Sequence, residues 1–133
     1  MKRISRNKED GNAVVRYLKS FKHAIDGILY AAIYEHNMII ILLAIHITTL
    51  AGFYFEIKSY EWLFCITCFG MVMGTEMINS SIEAVVDLET NKYHPLAKIA
   101  KDTASGATLV FAVTSLIGSL VIFLPKIIEM IGG

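Results

Sequence analysis

The sequence has little of what a soluble enzyme domain of its length would use. Of its 133 residues only 18% are charged, against 55% hydrophobic, and 12 Lys and Arg balance 12 Asp and Glu. With no net charge and a mean hydropathy of +0.56, it lacks the basic excess that binds nucleic acid. Its two cysteines are too few for a disulfide framework. Cys65 and Cys68 form a C-x-x-C inside an apolar stretch with no second ligand pair, and they read as two small buried residues. Neither G-x-x-x-x-G-K-[ST] nor G-x-G-x-x-G occurs, so any nucleotide must bind outside the common phosphate loops. No early apolar segment with a small-residue cleavage site is present, and no cleavable signal peptide is expected. Without internal repeats or low-complexity tracts, residues 1–133 read as a single domain.

What the chain does have is three apolar runs, 38–55, 62–87 and 104–124. Each holds enough residues, at about 1.5 Å of rise apiece, to cross a bilayer once. The fold class is therefore all-α integral membrane, with three transmembrane helices. Residues 1–11 are polar and are expected to be mobile. Asn12 can cap a helix over 12–35, whose apolar residues Val14, Val15, Leu18, Phe21, Ile25, Ile28 and Leu29 recur at 3–4 spacing. Arg16, Lys19, Lys22 and His23 flank that face, which predicts an amphipathic helix lying in the membrane surface. Trp62 anchors the start of the second span, and Pro95, preceded by His94, suits the first turn of the last helix. That helix is expected to stop before Pro125. Basic residues gather before the first span and at Lys92, Lys98 and Lys101, whereas the loop 56–61 holds only Lys58. The asymmetry places the N-terminus and second loop in the cytoplasm.

The second span carries Glu76, Asn79, Glu83 and Asp87, spaced 3, 4 and 4 residues apart. On a helical wheel Glu83 and Asp87 fall within about 20° of Glu76, and Asn79 lies about 60° to one side. Carboxylates in an apolar span are expensive and have to face protein, water or a cation. Divalent cations of the Mg²⁺ type prefer oxygen ligands and usually take one or two carboxylates plus phosphate oxygens. Glu83 lies about 6 Å along the axis from Asp87, and Glu76 about 16 Å, which predicts a water-facing metal site at Glu83 and a more desolvated base at Glu76. Glu35, at the start of the first span, can supply a second metal ligand. Lys101-Asp102 suits phosphate at the membrane-proximal part of the last helix, and His46 reads as a buried, hydrogen-bonded histidine. Three spans cannot enclose such a polar site alone, so a second subunit should cover it.

The run Glu76-Met77-Ile78-Asn79-Ser80-Ser81-Ile82-Glu83-Ala84-Val85-Val86-Asp87 resembles the signature of the prokaryotic diacylglycerol kinase family. The stretch from Tyr93-His94-Pro95 to Lys101-Asp102, and the ending Phe123-Leu124-Pro125-Lys126, are similar to its Gram-positive branch, which prefers undecaprenol. The resemblance covers about residues 12–128. It implies a homotrimer in the bacterial cell membrane with sites shared between subunits, using ATP with Mg²⁺ to phosphorylate a lipid alcohol. By it, Glu76 is the general base, and Glu35 and Glu83 are metal ligands that also meet the nucleotide. Arg16, His23, Lys92, Tyr93, His94, Lys101 and Asp102 match nucleotide-binding positions, Asn79 and Asp87 supporting polar ones, and Ser105 a lipid contact. After Glu35 the chain departs from the family pattern, with Ile39 and Ile41 where polar residues are common.

Three functions remain open at this stage. The first is phosphorylation of undecaprenol, the second phosphorylation of diacylglycerol by the same chemistry. The third is a non-enzymatic membrane protein that binds cations along the acidic stripe.

Overall fold

A computed structural model describes residues 13–90 and 92–132. The N-terminal tail and the Asn12 cap lie outside the described residues. Four helices follow in order: α1 (Ala13–Tyr34), α2 (His36–Tyr54), α3 (Ser59–Glu89) and α4 (Pro95–Gly132). The last three are long and apolar enough to cross a membrane.

The joints explain the path of the chain. α1 and α2 are separated by Glu35 alone, whose extended backbone (φ −91°, ψ 116°) turns the chain. Helical hydrogen bonding resumes on both sides of it: Glu35 N donates to Ala31 O, and Ile39 N to Glu35 O. At the far end of α2, Glu56 adopts φ +47°. Ile57 N donates to Gly52 O at 3.1 Å and Glu56 N to Phe53 O at 3.3 Å, the paired bonds of a Schellman cap. The next helix starts two residues later, its Lys58 N held by the Glu61 carboxylate at 2.6 Å. That carboxylate satisfies one of the backbone donors a helix start leaves open. α4 begins as the sequence predicts, with Pro95 in the first turn and His94 Nδ1 accepting from Leu96 N at 3.2 Å.

Most tertiary packing is between α3 and α4, which run antiparallel across the short linker; α2 packs less extensively on α3, and α1 touches both lightly. The buried apolar cluster of Ile57, Cys65, Ile122 and Phe123 sits at the α2–α3 turn, with Phe55, Trp62, Phe69 and Ile127 against it. Of the two cysteines expected to be buried, Cys65 is buried and Cys68 only half-buried; neither is in a disulfide. Outside the cluster, Leu43, Ile47, Leu109 and Leu116 are among many large apolar side chains left exposed. Such a surface suits hydrocarbon and neighbouring chains rather than water.

Two expectations are corrected. α4 does not stop before Pro125 but continues to Gly132 with the proline inside it. Proline removes one backbone bond, yet the turns beyond it are held: Ile127 packs on the apolar cluster, and Tyr54 OH donates to Met130 Sδ at 3.6 Å. Helices in an apolar medium tolerate proline where neighbours hold the freed turn. His46, expected to be buried, is exposed on α2, because α2 turns only part of its circumference toward α3.

At Gly52 α2 lies close against Trp62. A Cβ there would lie 2.8 Å from the Trp62 ring and 3.2 Å from Ile57. Trp62 packs at a tilt against Phe53, ring centroids 5.0 Å apart, and against the cluster, so it cannot swing aside freely. Gly52→Ala should therefore destabilise this end by about 1–3 kcal/mol. Trp62 is the only tryptophan, and its emission should shift red as the ring is displaced. Unchanged emission and midpoint would count against this packing.

Candidate active site

The face of α3 that packs inward is one stripe with two chemistries. Cys65, Val72, Glu76 and Asn79, spaced 7, 4 and 3 apart, are its buried residues, apolar toward the α2–α3 turn and polar toward the linker. Helical periodicity thus drives a carboxylate and an amide into the interior along the seam that the apolar residues create. Glu76 is 3% exposed and Asn79 4%.

Glu76 lines a groove of about 260 Å³ between three helices. Asn37, Ile40 and Ile41 come from α2, Val72 from α3, and Ser105, Thr108 and Leu109 from α4. Ser105, singled out by sequence, is therefore brought to the same groove as Glu76. One turn along α3, Asn79 Nδ2 donates to Glu83 Oε1 at 3.1 Å. Its own carbonyl oxygen is buried without a partner. Glu83 is half-buried and held at one oxygen by that bond.

At the end of the stripe Lys101 Nζ donates to Asp87 Oδ1 at 2.6 Å, bridging α3 and α4. Lys98 pairs with Asp102 one turn apart. The two pairs border an open cavity of about 500 Å³ that Lys92, Tyr93 and His94 also line. All six sequence-assigned residues of this region, Asp87 through Asp102, therefore share one site. Exposed ion pairs such as these contribute little stability. Their ammonium groups can exchange a carboxylate for a phosphate at small cost. The linker is shaped by Thr90, whose hydroxyl accepts from Lys92 N at 3.1 Å.

The remaining assigned residues stand apart. Glu35 is half-buried in a second cavity of about 260 Å³ with Tyr30, Met77, Ser80, Ser81 and Ala84. It meets α3 on the face next to Glu83, which does not line that cavity. Arg16 and His23 are exposed on α1 and line neither the charged cavity nor the groove; His23 lies 4.0 Å from Asp26. Among the described residues no three His, Cys, Asp or Glu converge on one point.

Sequence reasoning missed Lys98, Thr90, Asn37 and Thr108. For Lys98 the signal was available, since Pro95 fixes the helix start and puts Lys98, Lys101 and Asp102 at i, i+3 and i+4 on one face. Asn37 and Thr108 had none, because their place depends on how α2 and α4 meet α3.

Comparison with known proteins gives the arrangement a lineage. The family model for prokaryotic diacylglycerol kinase matches residues 22–123, from before Glu35 to beyond Ser105. The undecaprenol kinase of Bacillus subtilis (strain 168) is 43% identical over 121 residues, covering 91% of this chain and 98% of that protein. A diacylglycerol kinase of Synechocystis is 34% identical over 116 residues, 85% of this chain and 65% of that one. One from Helicobacter pylori (strain 26695) is 41% identical over 97 residues, 71% of this chain and 74% of its own. The chain belongs to the prokaryotic diacylglycerol kinase family.

Proposed function

We propose that this protein is a membrane lipid kinase that transfers the γ-phosphate of ATP to the hydroxyl of undecaprenol. The observation that carries the reading is Glu76, a buried carboxylate opening on a groove between apolar helices and joined by one helix face to a charged cavity. A lipid alcohol needs that combination, since its hydroxyl must leave the hydrocarbon for a base while its phosphate donor comes from water. The acceptor O–H bond breaks with its proton passing to Glu76. The oxygen bonds the γ-phosphorus, and the bond to the β-phosphate breaks to release ADP. Phosphoryl transfer asks for positioning and charge neutralisation more than covalent chemistry, which suits a chain this small.

Lys101, Lys98, Lys92, Tyr93 and His94 bind the nucleotide in the charged cavity. Arg16 and His23 contribute from α1 once it lies along the membrane surface. Mg²⁺ fits the donor set, because two carboxylates plus phosphate oxygens are its usual shell and no third protein ligand is needed. Glu83 and Glu35 would hold it, and when bound it supplies charge neutralisation at the phosphates. Asn79 orients Glu83 through the 3.1 Å bond. The N-terminus and the linker face the cytoplasm, where ATP is, in keeping with their basic residues. A homotrimer completes the site, since the charged cavity and the groove both open on the single chain's surface.

Diacylglycerol is the second acceptor, favoured by the relatives from Synechocystis and Helicobacter that bear that name. The non-enzymatic cation-binding alternative is set aside by family membership. Purified protein in mixed micelles, with the mass of three chains, should consume ATP only when a lipid alcohol is added, and faster with undecaprenol than with diacylglycerol. ATP consumption indifferent to lipid would overturn the reading. A preference for diacylglycerol would replace the acceptor and keep the chemistry.

A further inference from the structure

Several of the hydroxyls on these helices share a habit. Thr67, Thr75, Thr114 and Ser115 each donate to the carbonyl one turn back, at 2.8 to 2.9 Å. That bond is how a threonine satisfies its O–H in an apolar helix. Thr108 does not follow it. Its Oγ1 is sealed from solvent and has no hydrogen-bond partner, a condition shared among the described residues only by Asn79 Oδ1.

The position of Thr108 gives that sealed, unpartnered oxygen a use. It lines the groove that holds Glu76, on the opposing helix α4 and one turn from Ser105. Threonine in a helix has two accessible χ1 rotamers, so its oxygen can turn within the groove without moving the backbone. A hydroxyl carries one donor and two acceptor sites, and one left unmade in an apolar place favours any ligand that supplies a partner. Beside Glu76, Asn37 and Ser105 the walls are apolar, contributed by Ile40, Ile41, Val72 and Leu109, so each polar partner the groove offers counts.

We propose that the Thr108 hydroxyl is a further polar contact for the acceptor alcohol, beside Glu76 and Ser105, donating to the substrate oxygen while the substrate O–H is directed at Glu76. The inference rests on the lipid-kinase reading above and adds a residue to it. In the role assigned, Thr108 holds the acceptor and Glu76 takes its proton. Loss of the Thr108 hydroxyl therefore weakens lipid binding more than it slows the chemical step.

The test compares wild type, Thr108→Val and Thr108→Ser in micelles with lipid alcohol and MgATP varied separately. Thr108→Val keeps the shape and removes the hydroxyl. It should raise the lipid KM roughly five- to tenfold, leave the MgATP KM unchanged, and leave the thermal midpoint equal or higher. Thr108→Ser, which keeps the hydroxyl, should restore most of the lipid KM. An unchanged lipid KM in Thr108→Val overturns the inference. So does a lowered midpoint with loss of assembly, which would assign the hydroxyl to a contact between subunits. Wild type without lipid-dependent turnover would instead fail the kinase reading itself, a result distinct from a defect confined to the Val variant.

Discussion

Glu76→Gln should bind MgATP nearly as well as wild type and turn over about 10²–10⁴-fold more slowly, the usual cost of losing a general base. The amide keeps the volume of a side chain that is 3% exposed and cannot accept the alcohol proton. The variant should still insert and pack, since replacing a buried carboxylate by a neutral isostere lowers its desolvation cost. Nucleotide affinity is expected to survive because Glu76 lies about two helical turns, roughly 10 Å, from Glu83. Steady-state kinetics with a separate nucleotide-binding measurement distinguishes the possibilities. A normal kcat with weakened MgATP binding would make Glu76 a binding residue and reverse the order of roles along α3.

Glu83→Gln should lose activity for a different reason. Gln retains an oxygen able to accept the Asn79 amide, so the local hydrogen bond can persist while one negative charge disappears. Apparent Mg²⁺ affinity should fall by more than about tenfold, with part of the rate recovered at high Mg²⁺. Titrating activity against Mg²⁺ at saturating ATP tests this. Full turnover at the wild-type Mg²⁺ requirement would remove Glu83 from the metal site.

Much of this architecture is legible in one sequence because membrane-spanning helices announce themselves by unbroken hydropathy. α2, α3 and the start of α4 follow directly from their apolar runs and from Pro95. The stripe from Glu76 to Asp87 is equally legible, since residues on one helix keep their angular relation whatever surrounds them. What failed to show depended on contacts between helices. The continuation through Pro125 needs Ile127 and Met130 to find partners near the α2–α3 turn. The exposure of His46 needs the angle at which α2 meets α3. Likewise, that Glu35 meets Ser80 and Ser81, while Glu83 lines another part of α3, follows from the corner between α1 and α2. Periodicity within either helix cannot supply that corner.

The uneven packing of the helices has a consequence for how the protein opens. Contacts between α3 and α4 dominate the tertiary structure, so this hairpin is expected to form the persistent cooperative unit and to exchange its amide protons last. α1 makes few contacts with the other helices and is expected to exchange its amide protons earlier. Glu76, Asn79, Glu83, Asp87, Lys101 and Ser105 all lie on that hairpin, whereas Glu35 sits at the joint between α1 and α2. The candidate site is thereby divided between the hairpin and a joint outside it, so the proposed metal ligands Glu83 and Glu35 would meet only once α1 and α2 have settled on α3.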